Sequence, residues 1–541
     1  MPFIAWIITL FFTVENILPY FVGLSLTPKG AVFLGTVHHP GDYFYYVSQF
    51  AQGATRWLST LDLYTTEPVR PTLVGWSNAL LGHLLSLFGA SPIFAYQISI
   101  AILTLLLFYA SYVLAREVLG QKRLATITLY LFGLYHAFPI IRDGLPSYGD
   151  YFNNFAVPRV RFGAVPHQLL LASASIFLSF FILRYCDKQT HKSKKLLFGI
   201  AASSIILASL QPALWVTIIG IFCFVSFIYG LSRRDIKGIL NTFIYPIFIA
   251  SISGFLPILY LSNLFNTLPF VQLKTWEATQ HTTFTVGHFI SASGPIFLIA
   301  LTGLPWFLNH ATYKRVYIAC FAVVSFILFL SPIPTLMGLS HVRFMSTLVI
   351  LCLCIITTFG IEKLSAISAS FMHKAYAASR IIYPQLLVSI SLILLSLYLL
   401  PNHLTTIHLA SKFDPANAYH YIARSDYEFL QKVALASKPN DTYLVIWPYN
   451  TLFPAVTGKR SFHGHSLLTI NSMQKDMQAV QFFDNKMSSS EAQMFLRDNH
   501  ISHVVAYTWT NPPKELMTQT LTSGSLSLFA VNQEYLKPYS K

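Results

Sequence analysis

His38-His39-Pro40-Gly41-Asp42-Tyr43-Phe44-Tyr45-Tyr46 stands a short way after an apolar first segment, residues 3 to 25, and it holds an acid in a chain that uses few. A carboxylate just outside a bilayer needs a reason in chemistry or in ion pairing. Whether a bilayer is there follows from composition. Of 541 residues, 54% are apolar and 11% are charged, whereas soluble domains carry charge on about a quarter of their residues. The chain is therefore read as an α-helical polytopic membrane protein. Residues 3 to 25 read as a retained first helix, because the start lacks a basic n-region and no small-residue cleavage site precedes Thr27-Pro28-Lys29.

The net charge of +15 sits in short clusters between apolar stretches: Lys188 to Lys195, Arg233-Arg234, Lys314-Arg315 and Lys374 to Arg380. That is the positive-inside pattern, so the basic excess orients the chain and no nucleic-acid partner is expected. Spans are predicted over 3–25, 93–115, 123–141, 166–185, 196–211, 213–231, 239–262, 292–309, 313–331, 342–362 and 381–401, about 11 transmembrane helices. With every Lys/Arg-rich connection in the cytoplasm, including Arg116 to Arg123, loops 142–165, 263–291 and 332–341 fall outside. The N-terminus is then cytoplasmic, the C-terminal domain extracytoplasmic, and the protein multi-pass in the plasma (inner) membrane. Cys186, Cys223, Cys320, Cys352 and Cys354 lie in or at the ends of spans, which implies no disulfide framework.

Leu73 to Ala90 would invert this alternation if it crossed. It is short and contains Trp76, Ser77, Asn78 and His83, so it is expected to lie along the interface with its Leu face in lipid. Residues 26–92 then form one outer loop with interfacial helices near 43–55 and 72–88. The division is a transmembrane domain, 1–401, and a small α/β domain, 402–541. In the latter, strands are predicted at Tyr443 to Trp447, Val504 to Tyr507 and Leu526 to Val531, and helices at 425–436, 473–484 and 489–499.

An outer acid after the first helix, lipid-hugging helices, many spans and a soluble outer module occur together here. The residues are Gly41-Asp42-Tyr43 with Tyr46, the run from Gln52-Gly53 to Leu63-Tyr64-Thr65-Thr66-Glu67, the 142–165 loop with Asp150, and His341-Val342-Arg343-Phe344 entering a late span. In these the chain resembles the GT-C superfamily of polyprenyl-phosphate-dependent glycosyltransferases, which includes protein O-mannosyltransferases and aminoarabinose transferases. The resemblance implies a hexosyltransferase-type enzyme that takes sugar from a polyprenyl-phosphate donor, with inversion, to an extracytoplasmic glycan, lipid or protein acceptor. It implies Asp42 as general base and a second acid, Asp150, in the next outer loop, in some members for a metal.

The residues can be weighed on their own terms. A general base needs a carboxylate within reach of the acceptor hydroxyl in a partly desolvated cleft, which the start of an interfacial helix provides. Asp42 equally suits the cap of a helix beginning near Tyr43, and Asp150 a turn after Gly149. Glu67, before Pro68, is a further acid, though that position also suits plain extended loop. His38 and His39 near Asp42, joined by His167, would make an Asp/His site for a divalent metal, or else are interfacial histidines. A departing lipid phosphate needs cations, and Arg56, Arg70, Arg159, Arg161 and Arg343 stand at or beyond the outer interface. Arg343 opens an apolar run, where an anchor is the alternative.

Glu15 with Asn16 falls mid-span, where a carboxylate pairs with another helix or lines an ion path. Thr457-Gly458-Lys459-Arg460, His463-Gly464-His465, Thr469 and Lys475 mark the tail without an assignable role. Two other functions compete with the transferase. A transporter or lipid-carrier flippase would centre its polar groups at the midplane, as Glu15 does, and a non-catalytic envelope assembly factor would use the large tail.

Overall fold

The computed structural model describes residues 1–136, 138, 140–142, 145–147, 165–187, 193–233, 236–280, 286–309, 311–375 and 383–536. The chain begins with α1 (Phe3–Ser25), strand β1 (Ala31–Phe33), α2 (Pro40–Gly53), α3 (Trp76–Ser86), α4 (Pro92–Leu119) and α5 (Lys122–Leu134). A hairpin, β2 (Ile140–Arg142) and β3 (Leu145–Ser147), is followed by α6 (Pro166–Tyr185), α7 (Lys194–Leu210), α8 (Pro212–Arg233) and α9 (Ile236–Leu264). Next come α10 (Phe270–Thr279), α11 (Val286–Leu308), α12 (Tyr313–Leu330), α13 (Thr347–Ala375) and α14 (Tyr383–Ala410). The remainder is β4 (Tyr421–Ala423), α15 (Arg424–Ala436), β5 (Thr442–Val445), α16 (Tyr449–Thr457), β6 (Arg460–Ser461), α17 (Ser472–Phe483), α18 (Ser489–Asp498), β7 (His503–Tyr507), β8 (Met517–Ser523) and β9 (Leu526–Val531).

Each segment read as a span overlaps a helix, and among the described residues nine helices are long and apolar enough to cross a membrane. The protein is a multi-pass membrane protein. Helices α5 and α7 are shorter, at 13 and 17 residues. Helix α5 stops at Leu134 rather than near 141, because the backbone turns extended at Tyr135 and Pro139, which cannot continue a helix, follows closely. Helix α14 runs on through Pro401 to Ala410.

By packing, the chain divides into two units: residues 1–16, 100–264 and 277–409, and residues 17–99, 265–276 and 410–541. The first unit is a helical bundle held by hydroxyls and close-approaching small residues, as helix contacts in lipid require. Thr128 donates to Thr358 at 2.9 Å, and a Cβ on Gly303 would lie 3.1 Å from Gly360 Cα. At one end, Lys314 pairs with Glu117 at 2.5 Å and with Asp187 at 3.1 Å, and Arg184 pairs with Glu117 at 3.3 Å. Those residues end α4, end or follow α6 and open α12, so three connections read as cytoplasmic meet at one end of the bundle.

The second unit joins the first loop to the tail. Strand β1 pairs antiparallel with β4, Phe33 opposite Tyr421, over a core of Tyr20, Phe33 and Tyr421. Helices α2 and α3, close to the bounds expected for the interfacial pair, touch backbone to backbone. A Cβ on Gly53 would fall 2.4 Å from Ala79 O, and one on Gly82 2.4 Å from Phe50 O, so only glycine permits the contact. Asn78 donates to Gln49 at 2.8 Å across it, while Leu84, Leu87 and Phe88 stay exposed.

The tail carries a five-stranded sheet in the order β6-β5-β7-β9-β8. Strands β6, β5 and β7 run parallel, and β9 and β8 continue antiparallel. Phe453 of α16 packs on Tyr443 with rings 4.8 Å apart. The next residue along β5, Leu444, faces the other way and joins Phe482 of α17 and Phe495 and Leu496 of α18. The crossover helices therefore cover opposite faces: the chain leaves β5 outward to β6, then passes from β6 back across the sheet to β7 and on to β8 at the far edge. That arrangement makes a topological switch point between β5 and β7.

Candidate active site

Asp42 is the third residue of α2, which begins at Pro40 with His39 as N-cap, not at Tyr43. Proline presets the first helical position, and the helix is capped without an Asp42 hydrogen bond, so the carboxylate is left for other work. Its place in the first turn favours the charged form. The side chain is 51% exposed, with Oδ1 3.6 Å from His465 Nε2 and Oδ2 4.0 Å from His39 Nδ1. The His465 approach is just beyond hydrogen-bond length, and catalytic hydrogen bonds are often long until substrate binds.

His465 is buried, with its ring 5.7 Å from those of Tyr45 and of Tyr64. The backbone N–H of Leu467 donates to its Nδ1 at 3.2 Å, which assigns the ring proton to Nε2, facing Asp42. Burial pushes the Asp42 carboxyl upward, but His465, then His39 and His38, outweigh it and hold the group below the usual carboxylate range. It is ionised at neutral pH. Gly464 sets His465 in place: its φ is +149°, and a Cβ would fall 2.4 Å from Asn450 O. Gly464→Ala is expected to cost on the order of 1–3 kcal/mol of stability, read as a lower unfolding midpoint in detergent; an unchanged midpoint would remove this constraint.

His38 Nε2 lies 2.9 Å from the Tyr96 hydroxyl. Burial pushes its pKa down to about 4 against the pull of Asp42, so the ring is neutral. Its ring centroid is 6.2 Å from that of Tyr46. Arg56 follows the end of α2 and is partly buried. Glu67 Oε2 receives Lys475 Nζ at 2.7 Å and the Thr65 hydroxyl. With Thr469 donating to Tyr64 O at 2.8 Å and Ser461 N–H to Leu63 O at 2.8 Å, this ties the 61–67 loop to the tail.

Sequence reasoning passed over Asp62, a buried acid of that loop. Its Oδ1 accepts the Tyr64 N–H at 2.9 Å, while Oδ2 has no hydrogen-bond partner among the described residues. Burial pushes its pKa up to about 7, against the Tyr64 hydrogen bond and His465, Arg460 and Lys475. Between the ordinary carboxylate value and about 7 the folded state holds a proton that the unfolded chain releases, so stability falls as pH rises through that window. Asp62→Asn should flatten this decline in melts taken from pH 4 to 8, roughly the window the shift spans; an equally steep decline in the variant would mean that another group causes it.

Arg343, of the one-turn helix His341–Phe344, lies in the other unit. Its Nε and Nη2 donate to Glu277 Oε1 and Oε2 at 2.8 and 2.6 Å, and Oε1 also accepts Ser340 N–H at 3.0 Å. One edge of the guanidinium is thus taken by a protein carboxylate. His167, in the first turn of α6, belongs to that unit too, next to the Gln168 amide at 3.2 Å. Asp150, Arg159 and Arg161 lie outside the described residues. No three His, Cys, Asp or Glu side chains gather as metal ligands among the described residues. Glu15 contacts buried His403, whose ring is 5.4 Å from that of His136.

The fold is similar to that of solved membrane glycosyltransferases. The Archaeoglobus fulgidus oligosaccharyltransferase in its apo form matches 93% of this chain and 69% of its own at 12% identity, TM-score 0.55. The archaeal oligosaccharyltransferase AglB from Archaeoglobus fulgidus, in complex with an inhibitory peptide and a dolichol-phosphate, matches 92% and 69% at 12% identity, TM-score 0.52. The arabinofuranosyltransferase AftD from Mycobacteria matches 96% of this chain and 40% of its own at 13% identity, TM-score 0.53. No family model and no curated protein sequence matches the chain.

Proposed function

We propose that this protein is a glycosyltransferase that moves a sugar from a polyprenyl-phosphate donor to an acceptor on the outer side of the plasma membrane, with Asp42 as general base. The observation that carries the reading is the ionised, half-exposed Asp42 carboxylate on the first loop after α1, attended by His465. The acceptor oxygen attacks the anomeric carbon, the bond to the carrier phosphate breaks, and the acceptor proton passes to Asp42. A carboxyl held below its usual range is a weak base at the start. It takes the proton once C–O bond formation has acidified the hydroxyl, and before that its charge and position align the nucleophile.

The leaving phosphate calls for cations, and Arg56, Arg159, Arg161 and Arg343 are the proposed set, Arg343 sharing its charge with Glu277. The AglB structure with a dolichol-phosphate supports a lipid-phosphate carrier. The bundle end that gathers Glu117, Asp187 and Lys314 supports a cytoplasmic N-terminus and an extracytoplasmic tail.

Transport is the second reading, favoured by buried Glu15. The pairing with His403 answers the need of a mid-span carboxylate for a partner. Purified protein in liposomes, given a panel of polyprenyl-phosphate sugars, separates the two. Glycosidic product detected by mass spectrometry, equal in wild type and Glu15→Gln, is expected; Glu15-dependent scrambling of the carrier without product would refute the transferase.

A further inference from the structure

The parallel strands β6, β5 and β7 end on one edge, and each is followed by residues of distinct chemistry. After β6 come His463 and His465, the latter facing Asp42. After β5 comes Trp447, 67% exposed. Strand β7 ends on Tyr507, followed by Trp509, 68% exposed. The Tyr507 and Trp509 rings are stacked, 4.5 Å apart and within 8° of parallel, and the Tyr507 hydroxyl donates to Trp447 O at 3.4 Å. Beneath them Tyr449 meets Tyr507 edge-on at 6.0 Å, held by its hydroxyl donating to buried Asp426 at 2.7 Å.

These residues follow the strand ends where the order reverses between β5 and β7, the position at which α/β sheets commonly bind ligands. Two aromatic planes are held parallel, the outer one, Trp509, largely exposed. Leu84 on α3 and Leu87 and Phe88 just after it are exposed aliphatic and Phe side chains, the composition suited to a lipid-facing surface, whereas here the exposed tryptophans stand beside exposed Thr508 and a tyrosine hydroxyl. Flat rings with hydroxyl partners suit a ligand with apolar C–H faces and a polar rim, which describes a neutral sugar ring. Charge recognition is not built in, since the stacked group carries no cation.

We propose that Trp447, Tyr507 and Trp509 form a carbohydrate subsite that holds the saccharide part of the acceptor on the same strand-end edge as His465 and Asp42. The proposal rests on the reading of Asp42 as transferase base, which makes a sugar-bearing acceptor the ligand of this edge. The sugar stacks on the Trp509 face, and Trp447 bounds it on the β5 side.

Full-length protein in nanodiscs, titrated with maltohexaose, cellohexaose and mannohexaose, tests this through tryptophan emission. At least one hexasaccharide should give a saturable change, weakened about tenfold or more in Trp509→Ala and in Trp447→Ala, the size of losing one stacking platform. Trp509→Phe, which keeps a ring, should bind within a few-fold of wild type and so guards against misfolding as the cause. Asp42→Asn should bind sugar like wild type. No saturable change with any of the three sugars, or binding unaltered in both Ala variants, overturns the subsite. Quenching of Trp447 and Trp509 by brominated phosphatidylglycerol without a saccharide response assigns the edge to the bilayer and also overturns it. Sugar binding by wild type together with normal transfer by Asp42→Asn would sink the base assignment and leave the subsite standing.

Discussion

Asp42→Asn is expected to lower the rate of sugar transfer by roughly 10²- to 10⁴-fold, the range that a positioned general base contributes. Asparagine keeps the size of the side chain and the start of α2, so donor and acceptor should bind nearly as before and the loss should fall on kcat. The site also fixes the shape of the pH profile. Because His465, His39 and His38 together hold the Asp42 carboxyl below the usual carboxylate range, the base is ionised throughout neutral pH. Activity should fall only when the pH drops through that lowered value. In Asp42→Asn this acid limb should vanish along with most of the rate.

His465→Ala carries the second large effect, a loss of up to about 10²-fold from misplacing the carboxylate. Rate alone would not separate positioning from general damage, since His465 is buried between Tyr45 and Tyr64. The pH profile does. His465 lowers the Asp42 pKa, while burial raises it. Without the imidazole the burial effect is less opposed, so the pKa rises and the acid limb moves to higher pH. A limb that stays put while the rate falls would assign His465 a packing role only. His465→Gln, which can still donate near the Nε2 position, should recover part of the rate.

How much of this the sequence disclosed depends on the range of the interaction. Spans were legible from composition, and so were the two helices of the first loop, α2 and α3, near their observed bounds. Asp42 stood out because acids are scarce near the first span. Its helix start was missed by three residues, since the helix was placed from Tyr43 with Asp42 as its cap, whereas Pro40 already takes the first helical position. His465 was visible only as half of His463-Gly464-His465, for nothing local says that a tail histidine reaches a loop acid far earlier in the chain. Asp62 was invisible for the converse reason: in Thr60-Leu61-Asp62-Leu63-Tyr64 it reads as an ordinary loop acid. Its charged neighbours His465, Arg460 and Lys475 all come from the tail. The pairing of β1 with β4 was likewise beyond reach, two three-residue strands carrying no periodicity of their own.

The one measurement that bears most directly on Asp42 as the outer-face base is side-by-side transfer by purified wild type and Asp42→Asn in the same liposomes. Each receives the same panel of polyprenyl-phosphate sugars, and glycosidic product and released carrier phosphate are followed by mass spectrometry. Product from the wild type and a loss of two orders of magnitude or more in the variant, roughly the lower bound for a removed base, is the expected result. Equal product from the two proteins would contradict it.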